Sequence, residues 1–127
     1  MHRQVAARGD ARLEVAWQRY VDLDAWPDWS PQIRGVRCDR RTLVGGLRGT
    51  VAGPFGVAVP FEVLSVDAAA RQWVWRASLL GSTVEMTHLL RTDGDHTVAT
   101  LIAEGPAIVV LPYLPLATVA LGRLTRA

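Results

Sequence analysis

The chain has 127 residues, half of them apolar, which suffices for one domain with a real core and excludes disorder. The formal charge is only +2, and every one of the 14 basic residues is an arginine. These arginines are scattered, with Arg40-Arg41 the one doublet, so no basic stripe interleaved with aromatics points to nucleic acid.

No charged-then-apolar leader opens the chain, so a cytoplasmic protein is expected. Residues 2–8 suit a short first strand, which Gly9-Asp10 breaks, with Asp10 as a helix N-cap. From Ala11 to Val21, the residues Leu13, Ala16, Trp17, Tyr20 and Val21 recur at helical spacing, with Arg12, Gln18 and Arg19 on the wet face. The stretch Asp22–Ile33 then organises the rest. Pro27 and Pro31 rule out a long helix, Asp24 can cap a short one, and Trp26 and Trp29 share its face. A tight corner that drives two indoles into the protein is the expected result.

Strands follow at Ile33–Arg41, Leu43–Ala52, Val57–Val66, Arg71–Leu80, Thr83–Thr92 and His96–Glu104. Gly45-Gly46 marks a bulge or bend in the second of these, and Asp93-Gly94 is a hairpin signal. Cys38, the single cysteine, can form no internal disulfide and suits a small buried site. After Gly105-Pro106 the residues Ala107–Ala127 form a last helix that Pro112 and Pro115 must kink or delay. Its apolar run is interrupted by these prolines, so no transmembrane segment is expected. It is apolar on nearly all sides as far as Arg123, which leaves one face for the sheet and another for a homodimer or membrane-surface contact.

Three features resemble the polyketide cyclase/dehydrase branch of the START-related helix-grip (SRPBCC) superfamily. Trp17, Asp22, Trp26, Trp29 and Pro31 are similar to its first-helix tryptophan and its corner. Asp67 with Arg71-Gln-Trp73-Val-Trp75 is similar to its turn and aromatic strand. His88, Asp93-Gly-Asp95 and Thr97 are similar to its penultimate strand and hairpin. The likeness runs over residues 1–127 as one domain. It implies an α+β helix-grip fold, with a curved antiparallel sheet wrapped around a long C-terminal helix and an apolar cavity between them. The first strand is shorter than the pattern, so a frayed sheet edge is expected there.

Strand parity places Val57, Val59, Phe61, Val63, Trp73, Trp75, Val84, Met86, His88 and Leu90 on the inner face. A one-residue slip would instead turn Glu62, Arg76 and Glu85 inward. His88 is the one ionisable residue of that face, so it is the candidate catalytic residue, as a general acid or base, or an anchor for a carbonyl or phenol. A neutral core histidine bonded to a neighbour is the alternative. Tyr113 can aim a phenol at the same space, while Tyr20 suits the core. The ligand-binding candidates are Trp29, Phe61, Trp73, Trp75, Met86, His88 and Tyr113, with the indoles suited to flat rings.

Glu85 and His88 face opposite ways on one strand, so no metal site is expected, and no glycine motif calls for a dinucleotide or other cofactor. Ser30 and Ser82 lack the surroundings of a nucleophile. The functional expectation is therefore a cavity for a hydrophobic, cyclic small molecule. Cyclisation, dehydration or aromatisation is the activity the resemblance implies. A non-catalytic carrier or sensor of a lipid-like ligand stands beside it, and so does a filled core in which the five tryptophans plug the space.

Overall fold

The computed structural model describes residues 1–127. The chain runs through β1 (His2–Gly9), α1 (Leu13–Val21), a 3-10 turn (Leu23–Ala25), α2 (Trp26–Trp29), β2 (Gly35–Cys38), β3 (Arg48–Ala52) and a second 3-10 turn (Pro54–Gly56). It continues through β4 (Ala58–Asp67), β5 (Gln72–Leu79), β6 (Ser82–Asp93), β7 (His96–Glu104) and α3 (Ala107–Leu124). All seven strands form one antiparallel sheet in the order β1-β7-β6-β5-β4-β3-β2. Each strand from β2 to β6 pairs with its successor. β1 closes the far side against β7, so α1, the corner and α3 all fall on one face, over a single cluster of 28 buried apolar residues.

The edge expected to fray is complete. β1 pairs with β7 along its whole length, from His2 opposite Glu104 to Gly9 opposite Thr97. Its end is locked in place: Ala11 N–H donates to the Thr125 carbonyl (2.9 Å), and Thr97 Oγ1 donates to the Ala11 carbonyl (2.6 Å). This lock carries Asp10 away from the helix. Asp10 pairs with His96 Nε2 (3.0 Å), and α1 starts at Leu13 after Arg12, with no side-chain cap.

At the corner the capping roles also differ from expectation. Asp22, not Asp24, accepts the capping bond, from the Asp24 N–H (3.0 Å). Asp24 instead receives two bonds from Arg41, at 2.9 and 2.6 Å. Backbone bonds from Leu23 to Arg41 and from Leu43 to Val21 sew the corner to the following loop. That loop consumes residues expected to be strand, so β2 and β3 are short and residues 39–47 connect them. Cys38 at the end of β2 is half-buried and its thiol donates to the Arg40 carbonyl.

The bulge that parity arguments must respect lies in β4. Register shifts between Val63 and Ser65, so Leu64 is left over and Val66, not Ser65, comes opposite Trp73. Phe61 and Val63 before it stay buried as expected. α3 runs as one helix through Pro112 and Pro115. The carbonyls deprived of partners belong to Ile108 and Leu111, both on its exposed side. Val110, Ala117, Leu121 and Leu124 bury the other side.

Gly9 is where β1 touches the end of α3. A Cβ there would lie 2.1 Å from the Thr125 carbonyl oxygen and 2.8 Å from its hydroxyl. The obstacle is backbone, which cannot swing aside. Gly9→Ala should therefore cost about 1–3 kcal/mol in urea unfolding; a change under ~0.5 kcal/mol would mean that this contact does not hold the edge.

Candidate functional site

Half of the space between sheet and helices is filled by rings. α1 contributes Tyr20, the corner contributes Trp26 and Trp29, β4 contributes Phe61, β5 Trp73 and Trp75, and β6 His88. Opposed positions in register bring Trp73 and His88 face to face, with ring centres 4.4 Å apart and planes 9° from parallel. Tyr20 meets Trp29, Trp73 and His88 edge-on at 5.3, 5.4 and 5.1 Å. Trp26 lies 5.5 Å from Trp73 and 5.4 Å from Trp75. Both corner indoles are tied to the end of α1: Trp26 Nε1–H donates to the Tyr20 carbonyl and Trp29 Nε1–H to the Arg19 carbonyl, each at 2.9 Å.

His88 is the polar centre of this plug. Trp75 Nε1–H can only donate, and it reaches His88 Nε2 at 3.0 Å. Nε2 is therefore the bare nitrogen, and Nδ1–H donates to the Tyr20 hydroxyl at 3.2 Å. A second proton would set an N–H against the indole N–H. Burial holds the imidazole neutral and lowers its pKa from 6.5 to about 3. The same burial raises Tyr20 well above an ordinary phenol, with Tyr113 adding to the shift.

The other half of the space is open. A cavity of about 320 Å³ lies between β3–β6, the corner's exit and the first half of α3. Val51, Val59, Ala77, Val84 and Met86 form its sheet wall, Val109, Val110, Tyr113 and Leu116 its helix wall, and Gln32 and Ile33 one side. Pro54, Phe55, Val57 and Leu79 lie toward the strand ends. Trp75 stands on the boundary, its ring in the wall and its N–H turned back to His88.

Of the residues singled out from the sequence, Trp75, Met86 and Tyr113 line this cavity. Trp29, Phe61, Trp73 and His88 do not. Phe61, Trp73 and His88 are on the inner face, as parity required, but rings from α1 and the corner cover them, and Trp29 is itself one of those corner rings. His88 in particular is 3% exposed and lies behind Trp75 rather than in the cavity wall. Parity alone could have added Ala77 and Val84, which share a face with Trp75 and Met86. Gln32 carried no sequence signal, since nothing in a residue after Pro31 shows where its amide will point.

Gln32 and Tyr113 are the polar side chains of the cavity wall whose groups are not committed elsewhere. The Gln32 amide donates to the Tyr113 hydroxyl at 3.5 Å, and its carbonyl oxygen is buried without a partner. Burial pushes the Tyr113 phenol up to about 12, against a smaller opposite effect of the Gln32 bond. Tyr113 therefore stays an uncharged O–H donor at neutral pH. No three His, Cys, Asp or Glu side chains converge anywhere in the fold.

The buried histidine makes stability pH-dependent with a definite sign. Its folded pKa lies below its unfolded one, so its stabilising contribution is intact above pH 6.5 and is lost as pH falls toward 3. In that window the unfolded chain binds a proton that the folded one refuses, at a slope on the order of 1.4 kcal/mol per pH unit. Urea titrations between pH 7 and 4 should show a shallower fall for His88→Gln than for the unaltered chain. Parallel falls would place the acid sensitivity elsewhere.

No protein-family model and no curated protein matches the chain. Solved structures do. XoxI from Bacillus cereus is 13% identical with a TM-score of 0.81, over 98% of this chain and 92% of that one. BexL, a di-domain ARO/CYC from the BE-7585A biosynthetic pathway, is 13% identical with a TM-score of 0.80, over 98% of this chain and 45% of its own. Norcoclaurine synthase from Thalictrum flavum, solved in complex with dopamine and hydroxybenzaldehyde, is 18% identical with a TM-score of 0.72, over 98% of this chain and 84% of its own. At such identities the likeness is one of fold. The chain has the helix-grip fold.

Proposed function

We propose that this helix-grip domain binds a hydrophobic, ring-containing small molecule between its sheet and the first half of α3. One observation carries the reading: the grip is only half filled. The aromatic plug stops at Trp75, and beyond it about 320 Å³ remains open and apolar. Ligand pockets run from roughly 300 to 1,000 Å³, so the space suits a compact skeleton. The expectation of a fully plugged core loses its support here. Apolar walls supply affinity through burial, and Trp75 offers a ring for stacking. Carriage or sensing needs nothing more than these walls.

Catalysis of a cyclisation, dehydration or aromatisation is the second reading. Tyr113 favours it, because a neutral buried O–H facing an apolar space can hold a carbonyl while the walls fold a reactive chain into one conformer. The likeness to an ARO/CYC protein and to a synthase points the same way. In this reading the polar role first considered for His88 passes to Tyr113, and His88 serves to fix Trp75 and Tyr20.

Quenching of tryptophan fluorescence by naphthalene and 2-acetylnaphthalene tests both readings. Each should saturate, and Ala77→Phe, which fills the cavity, should weaken both at least about tenfold while leaving the fold intact. No saturable binding of these probes or of a fatty acid would refute a ligand-binding role. Tyr113→Phe should weaken the ketone about tenfold and leave the hydrocarbon unchanged. Equal loss of the two probes would remove Tyr113 as a carbonyl anchor.

A further inference from the structure

Three apolar side chains stand in solvent at one end of the sheet, and two of them do so on unfavourable backbone. Phe55, in the turn between β3 and β4, is 101% exposed, and Leu80, between β5 and β6, is 82% exposed. Their φ angles are 59° and 53°, in the left-handed region that bulky side chains avoid. Ile108, in the first turn of α3, is 77% exposed. A turn selected only for folding would carry glycine at such a φ and a polar residue at such exposure. Here both preferences are violated twice.

Register places the three together. Phe61 pairs with Ala77 and Glu85 with Glu104, so the β3–β4 turn, the β5–β6 turn and the start of α3 share one end of the sheet. The same end is the mouth of the cavity, because Phe55 itself, Leu79 next to Leu80 and Val109 next to Ile108 all line it. The apolar surface continues along α3 through Leu111, Leu116 and Val119, with no charged residue between Ala107 and Gly122. Arg3 and Arg34 lie at this end and are exposed without an ion-pair partner, whereas Glu85 and Glu104 are engaged by Arg76 and His2.

We propose that this rim docks the cavity mouth onto an anionic lipid surface. Apolar tips that pass the headgroups, flanking arginines that meet them, and an apolar passage opening between the tips suit a bilayer boundary. A second copy of the chain bound here would close the mouth that a ligand must use. The inference rests on the binding reading only for the meaning of the mouth; the docking itself is measured separately.

Flotation with vesicles of phosphatidylcholine and phosphatidylglycerol is the test. The unaltered chain should float, with less bound as salt rises or as phosphatidylglycerol is removed. Phe55→Gly and Leu80→Gly should each lower partitioning about tenfold while raising the melting temperature, since glycine accepts the left-handed backbone. Ala77→Phe should lose naphthalene binding yet float normally, so a failed cavity and a failed docking surface give different patterns. Absence of flotation, flotation indifferent to the two glycine variants, or a concentration-dependent dimer that those variants abolish would overturn the proposal.

Discussion

The contact on which the structure depends is the bond from Trp75 to His88 within the aromatic plug. Trp75 donates to Nε2, Tyr20 receives from Nδ1, and Trp73 stacks on the ring at 4.4 Å. One imidazole on β6 thereby satisfies groups from α1 and β5. Because an indole N–H cannot accept, the tautomer is fixed, and with it the tilt of Trp75. That tilt decides where packing ends and the cavity begins.

Through its indoles the corner serves the plug rather than the cavity. Its two prolines stop the helix early, and its two indoles bond back to carbonyls at the end of α1. Filling one half of the grip with rigid rings leaves the other half to aliphatic side chains from β3–β6 and α3, which do not close on one another. A small sheet of this kind can then hold a core and a cavity together. The core supplies stability, and the cavity forgoes the packing that would have added more.

The polar content of the site follows the same division. His88, the one ionisable residue of the sheet's inner face, is sealed in the plug, and the cavity keeps a phenol and an amide. Chemistry in such a space depends on shape and on a neutral hydrogen bond rather than on charge. The exposed Phe55 and Leu80 at its mouth break local backbone preference, with φ in the left-handed region.

The sequence by itself determined the class of fold, the number and order of the six later strands, the corner and the inner face of the sheet. The strands, the corner and the inner face rest on period-2 and period-3.6 patterns and on the fixed φ of Pro27 and Pro31, all local properties, whereas the class of fold came from the resemblance carried by Trp17, Asp22, Trp26, Trp29 and Pro31. It could not give the length of β2 and β3, because the loop sewn to the corner competes for their residues. Nor could it show that Asp10 would leave its cap for His96. Above all it could not divide the inner face into plug and cavity. Trp73 and Trp75 have the same parity, and so do Met86 and His88. Only the helix and corner packed over Trp73 and His88, and not over Met86, separate them, and that covering is a long-range contact that no local pattern encodes.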